Sequence, residues 1–481
     1  MKKKNPSTSF SRRSFLKTSV TGAVGAAALS YIPTIVPARV LGKYSPANRI
    51  NIGVIGVGRI AREWDIPGTW QYDQAHIMAV CDLDSNRLQK GKEYIDDYYT
   101  KKFGQPYNGA KTYGNYQELL ANKDIDAVLI CTPDHWHALP AIHAVRAGKD
   151  VYMEKPASLT IREGRILSDE VNKSGRIFQI GCQQRSHAPW PQFKKACELV
   201  RNGRIGDLHT VYVGLPVDNP EQSTVEQEMP IPRNLNYEMW CGTTPYSIYT
   251  EKRVHPQDGG FSRPGWLRCE QYGAGMITGW GAHHFDIANW GMGTEHTGPV
   301  EISGEAKWPR KEALWDVHGS FKTESLFANG VKVLASDSYP NGVKFVGSKG
   351  WIFVTRGNYS VTASDPVSKS KNSKVLDASD PRILESEIGP NEIHLYESRE
   401  HHGNWLDCIV SRQINIAPIE VGHRACSVCL LSHTAMKLKR KLYWDPVREQ
   451  FKNDEEANSM LSRAQRWPYQ IYPEFDVKTT I

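Results

Sequence analysis

The sequence predicts an α/β protein in two parts: an N-terminal doubly wound parallel sheet, then a second α/β domain on an open, mostly antiparallel sheet. Three observations predict it. Short, continuously apolar runs at residues 50–55, 77–81, 128–131, 150–153 and 176–181 alternate with helix-like stretches up to about residue 184, the pattern of strands buried on both faces and joined by crossover helices. The first run passes directly into Gly56-Val57-Gly58-Arg59-Ile60-Ala61, a glycine-rich turn opening a helix. Beyond residue 208 the runs lengthen and alternate, at 208–213, 300–306, 317–322, 330–335, 342–346 and 351–355, as in antiparallel strands with one solvated face.

A chain of 481 residues can hold two or three domains, and 40% apolar with 23% charged residues is ordinary globular composition. The net charge of +7 is concentrated at the start: residues 1–43 carry eight Lys or Arg and no acid, so the body is close to balanced. That balance gives no electrostatic reason to expect nucleic acid as a partner. The nine cysteines are odd in number and scattered, several of them (Cys81, Cys131, Cys182) inside apolar runs. They read as small buried hydrophobes rather than a disulfide framework. Cys426 and Cys429 have metal-like spacing, but they sit in a helical pattern without a second pair, so no metal site is expected.

In chain order, Ser11-Arg12-Arg13-Ser14-Phe15-Leu16-Lys17 resembles a twin-arginine export signal, and an Ala- and Gly-rich apolar run follows to residue 36. The run is short, mild and broken by Pro33, so it reads as a removable signal rather than a membrane span. Residues 1–43 are therefore expected to be signal peptide and linker, the mature protein to be periplasmic or otherwise exported, and no part to remain in the membrane.

Within 56–61, Gly56 permits the tight turn, Gly58 lets backbone approach a pyrophosphate, and the small Ala61 allows close helix–strand packing. The second strand-like run ends in Asp82, 26 residues after Gly56. A carboxylate there can bind both ribose hydroxyls and would repel a 2′-phosphate, so NAD is favoured over NADP. Residues 48–184 thus read as an NAD-binding Rossmann domain, with Arg59 and Ile60 also on the cofactor turn.

Helices are expected at 88–99 and 116–121. The stretch 134–148 should be another, with Asp134 as N-cap, apolar residues at Leu139, Ile142, Ala144 and Val145, and Gly148 as the stop. On either side lie Thr132-Pro133 and Glu154-Lys155-Pro156, at the carboxyl ends of successive strands, the edge where open parallel sheets bind ligands. Residues 185–450 are expected to form the second domain: a helix at 193–202, long aromatic-rich connections at 216–268, a mobile Ser-, Lys- and Asp-rich excursion at 364–380, and closing helices at 405–412 and 424–441. Residues 451–481 read as a tail.

These motifs resemble the Gfo/Idh/MocA oxidoreductases, sugar and cyclitol dehydrogenases with a Rossmann domain followed by an open-sheet α/β domain. The likeness rests on Gly56 to Ala61, Asp82, Thr132-Pro133 with His137, Glu154-Lys155-Pro156, and the run from Gly275 to Asp286, and covers nearly all of residues 48–450. It implies cofactor contacts from Thr132, Pro133, His137, Glu154 and Lys155, and a catalytic pair, Lys155 and His283. The family's dehydrogenases also carry an aspartate four residues before that histidine, where this chain has Gly279, while Asp286 matches the final aspartate of the pattern. The carboxylate of that pattern must come from elsewhere or be absent, and His284, Asp286 or Glu154 could compensate for it. Arg185 and His187 follow the last Rossmann strand and, with His284 and Asp286, are the candidate substrate-binding residues.

Oxidising a secondary alcohol requires a poised base beside the cofactor. Dense Trp and Tyr between residues 235 and 290 suit a saccharide, because aromatic faces cover C–H surfaces. The expected activity is a tightly bound NAD acting on a secondary alcohol of a sugar or glycoside. The alternative is an NAD-dependent glycoside hydrolase or lyase working through transient oxidation and elimination. Exported relatives of that type typically replace the E-K-P lysine, which this chain retains. The partner is then a small carbohydrate, and a homo-oligomer is a family-level expectation.

Overall fold

A computed structural model describes residues 49–218, 225–357 and 374–471. The export motif and the run to residue 36 lie outside the described residues, as do 364–373 of the expected excursion.

The N-terminal sheet is built from β1 (Ile50–Ile55), β2 (Ala75–Cys81), β3 (Lys111–Tyr113), β4 (Ala127–Ile130), β5 (Asp150–Met153) and β6 (Phe178–Ile180). Every pairing is parallel and the order is β3-β2-β1-β4-β5-β6. All residues of β4 and β5 are buried, which is why these strands read as unbroken apolar runs rather than alternations. The order reverses between β1 and β4, so the loops after those strands diverge and open a crevice at their carboxyl ends.

The second sheet contains β7 (Leu208–Gly214), β8 (Pro299–Ala306), β9 (Phe321–Phe327), β10 (Lys332–Ser336), β11 (Gly342–Gly347), β12 (Gly350–Val354), β13 (Leu376–Ala378), β14 (Leu442–Asp445) and β15 (Gln450–Phe451). Its order is β13-β12-β11-β7-β10-β9-β8-β14-β15, antiparallel except for β7 with β10. Alternation along β9, with Phe321, Thr323 and Ser325 buried and Lys322 and Glu324 exposed, marks the covered face. Against it pack the helices Gly281–Met292 and Ile419–Leu438, both buried over nearly their whole length.

Several expectations need correction. The stretch 134–148 is a 3₁₀ turn at Asp134–Trp136 followed by the helix Ala138–Arg146, with Gly148 at φ +77° beyond its end. Asp134 makes no capping bond; Pro133 stands at the N-cap position, and the Asp134 side chain is turned inward. The strand expected at 317–322 begins only at Phe321, because the amides of Asp316 and Gly319 are engaged by the carbonyls of Arg268 and Lys307 instead of a ladder. In the expected excursion, Leu376–Ala378 pairs with β12 and Asp380 caps the helix Pro381–Glu385. Residues 451–471 are no tail: after the helix Glu455–Ser459, the Leu461 carbonyl accepts from the Arg162 amide at 2.9 Å, Gln465 donates to Glu163 at 2.7 Å, and Tyr469 meets Trp136 edge-on. All nine cysteines are buried free thiols.

Candidate functional site

A single cavity runs along the carboxyl edge of the parallel sheet, closed on its far side by residues 239–283. At one end lies the glycine turn. Gly56 has φ +86°, and a side chain there would sit 2.9 Å from the Cys131 carbonyl, so only glycine fits. At Gly58 a Cβ would meet nothing closer than the Arg87 guanidinium at 3.5 Å, which leaves the open backbone approach a pyrophosphate needs. Gly56, Gly58, Arg59, Ile60 and Asp82 line the cavity, and Ala61 is wholly buried against the sheet. Each Asp82 carboxylate oxygen accepts one backbone amide at 3.0 Å, from Val57 and from Asp84, which fixes the carboxylate at the rim with lone pairs to spare. The residues present therefore fit a dinucleotide.

Asp84, two residues on, was not legible as part of this edge. It caps the helix Ser85–Phe103 and also accepts from Asn234 at 2.9 Å and from His255 at 3.0 Å, tying the long aromatic-rich connection to the cofactor rim.

Thr132, Pro133, His137, Glu154 and Lys155 all line the middle of the cavity. His137 is buried with Nδ1 at 2.6 Å from the Pro156 carbonyl and Nε2 at 2.9 Å from that of Thr132. Burial holds its pKa down near 4 against the pull of the two carbonyls, so the neutral ring donates to one of them and clasps the loops after β4 and β5 together. Glu154 accepts from Gln183 at 2.6 Å and from the Lys155 amide at 3.2 Å. Burial raises it to about 8, with nearby Asp65 adding and Lys155 opposing, so much of it is neutral at pH 7.

His283 enters from the helix Gly281–Met292 and lines the same cavity as Lys155. Burial, then the positive charges of Arg356 and Lys155, push its pKa well below the ordinary value, and among the described residues its Nδ1 has no hydrogen-bond partner. A neutral imidazole beside a lysine offers a bare ring nitrogen that can accept a hydrogen bond from a substrate hydroxyl and hold it in place. Gly279 lines the wall as backbone alone, and a Cβ there would lie 2.9 Å from the Met276 methyl. Trp240, Trp266 and Trp280 line the cavity, while Tyr237, Tyr249 and Tyr272 form a separate small core with Trp240. The structure adds Asp134, Arg87, Trp64, Trp190 and Arg356 to the walls. Trp64 stacks on Trp190, and Arg356 lies 4.1 Å above the Trp190 ring. The sequence carried no periodicity that would bring these together.

The four expected substrate contacts lie elsewhere. Arg185 and Asp286 are almost wholly buried and closed on each other by two bonds of 2.7 and 2.8 Å, with Glu295 taking a third guanidinium nitrogen at 2.8 Å. His284 bonds Asn341 at 2.8 Å within the second domain and burial lowers it to about 3. His187 is exposed, its amide tied to the Ser398 carbonyl. Helix period accounts for His284, which turns away from the face of His283, but not for Asp286, which three residues on shares that side of the helix and is instead taken up by Arg185.

A parallel sheet with a glycine turn, a rim carboxylate and a lysine–histidine pair in one cavity defines a nicotinamide-dinucleotide oxidoreductase. The chain belongs to the Gfo/Idh/MocA oxidoreductase family: the model of its NAD-binding Rossmann fold matches residues 50–182, and that of its C-terminal alpha/beta domain matches 221–364 and 382–471. Similar proteins include myo-inositol 2-dehydrogenase of Thermotoga maritima, 32% identical over 34% of this chain and 44% of its own length. A glycosyl hydrolase family 109 protein of Shewanella is 30% identical over 41% of this chain and 44% of its own. These matches thus span less than half of either relative. Among solved structures, the aldose-aldose oxidoreductase of Caulobacter crescentus complexed with glycerol aligns with TM-score 0.54 at 19% identity, over 82% of this chain and 99% of that one. The WlbA dehydrogenase of Bordetella pertussis in complex with NADH and UDP-GlcNAcA aligns with TM-score 0.55 at 16% identity, over 82% and 99%. Both show a shared fold.

Proposed function

We propose that the protein is an NAD-dependent oxidoreductase acting on a secondary alcohol of a sugar or glycoside, with the cofactor tightly held. The observation that carries this reading is that Lys155 and His283 share one cavity with the glycine turn and Asp82, with His283 kept neutral. Bound nicotinamide supplies a hydride acceptor. The chain's part is to seat the sugar against Trp240, Trp266 and Trp280, hold the reacting hydroxyl between Lys155 and His283, and exclude water from that end of the cavity. Asp82 favours NAD over NADP through its bare lone pairs at the rim. The residues proposed to hold the cofactor are Gly56, Gly58, Arg59, Ile60, Asp82, Thr132 and Pro133, with Ala61 packing beneath the turn.

The export motif at residues 11–17 supports delivery of the folded protein across the inner membrane; no helix among the described residues is long and apolar enough to cross one. Free NAD is scarce there, so the cofactor is carried along and recycled by a second sugar or another acceptor. Purified protein is expected to release nicotinamide dinucleotide on denaturation and to reduce it when given sugars. Absence of nicotinamide together with no binding of added NAD or NADP overturns the reading.

The likeness to glycosyl hydrolase family 109 and the glycine at 279 favour a second reading, hydrolysis through transient oxidation and elimination. Release of aglycone from a glycoside panel, with no external NAD or acceptor, would put this reading first.

A further inference from the structure

We propose that Asp134 is a further catalytic residue, its carboxylate taking and returning the proton of the substrate hydroxyl beside Lys155 in place of the acid replaced by Gly279. This rests on the oxidoreductase reading above.

Three carboxylates line the cavity: Asp82, Asp134 and Glu154. Asp82 is at the cofactor rim, fixed there by the amides of Val57 and Asp84, and its remaining lone pairs are assigned to the ribose. Glu154 is engaged by Gln183 and by the Lys155 amide. Asp286, the nearest matching acid in sequence, is locked to Arg185 outside the cavity. Asp134 alone of the three accepts from no other described residue, only from its own backbone amide, although it is 7% exposed and nothing in helix capping employs it. A buried carboxylate left open to a cavity is costly unless a ligand completes it.

Its surroundings fix its position and its charge. A Cβ on Gly273 would lie 3.2 Å from Asp134 Oδ2, so the carboxylate is pressed against bare backbone, and Trp266 borders the same spot. Burial raises Asp134 to about 7, with Lys155 opposing that rise. Cys426 on the helix Ile419–Leu438 also feels its charge, and that thiol is itself raised to about 11 by burial. His135 and His137 on its own loop, and His283 and Glu154 on the cavity walls, are all displaced towards neutrality by burial. Lys155 is the neighbour that opposes the rise at Asp134, and a base titrating near working pH is the effective kind.

In the step assigned to Asp134, the hydroxyl O–H bond breaks and its proton passes to Oδ1 or Oδ2. The C–H bond breaks, its hydrogen would leave with both electrons to bound nicotinamide, and the C–O bond becomes a carbonyl. In the return direction protonated Asp134 gives the proton back to the oxygen.

The test compares wild-type holoenzyme with Asp134→Asn, nearly equal in volume, and with Asp134→Ala as a second variant. Infrared pH-difference spectra of substrate-free holoenzyme should show two protonated-carboxyl components, from Asp134 with a midpoint near pH 7 and from Glu154 near pH 8, of which only the first is absent from both variants. Single-turnover nicotinamide reduction by a panel of aldoses, polyols and methyl glycosides should rise with pH through about 7 in wild type. In both variants that limb should vanish and the rate fall by ~10²-fold or more, the usual scale for a lost proton-transfer group, at unchanged nicotinamide content. Variants that turn over within ~3-fold of wild type with the limb intact would overturn the role of Asp134 and leave the oxidoreductase reading standing. Wild type that retains nicotinamide and is reduced by no member of the panel would overturn both.

Discussion

Two clusters of buried charge lie within the same chain. At the cavity, Asp134, Glu154 and His283 are all displaced towards neutrality by burial and left open on at least one side. Outside it, Arg185 and Asp286 are as deeply buried but closed on each other, and the guanidinium stacks over Trp290 at 4.9 Å. Loss of water is common to both. What separates a poised group from a structural one is whether the neighbour that compensates it is a fixed side chain or a space.

The largest effect expected from breaking this contrast is on stability. Arg185→Ala leaves Asp286 buried and unpaired and should cost ~3–5 kcal/mol in chemical denaturation, whereas Arg185→Met with Asp286→Leu should recover much of that. Turnover per folded molecule should stay within ~3-fold of wild type, a change of under ~1 kcal/mol in the barrier. A stable Arg185→Ala protein that no longer binds sugar would return Arg185 to the substrate site.

On the cavity side the ordering reverses. Lys155→Met should leave nicotinamide content unchanged, because the cofactor is held by the Gly56 to Ala61 turn and Asp82, and lower single-turnover reduction by ~10²-fold or more. His283→Ala should do the same at little cost in melting temperature, since its Nδ1 supports no neighbour. Near-wild-type rates in both would mean that the reacting carbon sits elsewhere in the cavity.

How much of this was legible follows the same contrast. The parallel sheet, the glycine turn, Asp82 and the E-K-P loop were readable, because unbroken apolar runs and glycine spacing are local consequences of burial and backbone geometry. Asp134 was read as a helix cap, since Asp before an apolar helix usually is one; only the 3₁₀ turn that displaces it reveals a side chain with no capping bond. Arg185 and His187 follow the last strand in sequence, but the 3₁₀ turn Gln183–Arg185 sends Gln183 to the cavity, Arg185 to the core and His187 to the surface. Arg356 and Trp190 meet across 166 residues of chain, and no periodicity encodes such a pairing.

A third cluster lies between the two extremes. His402 is buried with its ring nitrogens at 3.1 Å from Asp65 and from Glu400, and Tyr72 donates to Glu400 at 2.9 Å. Burial alone would lower His402, but the hydrogen bonds and charges of Asp65 and Glu400 outweigh it and raise the pKa to about 9. A folded-state pKa above the unfolded value means the stabilisation is complete below about pH 6.5 and is lost as pH rises through about 9, by roughly 1–3 kcal/mol. Thermal melting should therefore drop between pH 6.5 and 9 in wild type, and His402→Gln should flatten that slope. An unchanged slope in the variant would assign the alkaline loss to other groups.

The smallest effect expected is at the cofactor rim, where one carboxylate is both poised and paired. Each Asp82 oxygen already accepts a backbone amide from the turn it serves, and Arg87 lies close enough to share its charge. Asp82→Ala removes the ribose acceptor and the repulsion towards a 2′-phosphate, and leaves the Arg87 guanidinium with the charges of Asp84 and Asp258 alone of the three carboxylates that act on it. NAD should weaken by ~10-fold, about 1.4 kcal/mol, because the pyrophosphate still has the glycine turn, while NADP should change less, so that the preference narrows or inverts. Asp82→Asn separates the two duties in part: it keeps an oxygen for one amide, sets an NH2 donor against the other and loses the charge, so it should melt between wild type and Asp82→Ala yet discriminate as poorly as Asp82→Ala. Nicotinamide titrations followed by protein fluorescence, run with both dinucleotides on cofactor-stripped protein, read these constants directly. A NAD to NADP ratio that stays put in both variants would make Asp82 a staple of the turn and move cofactor selection to Arg59 and Arg87.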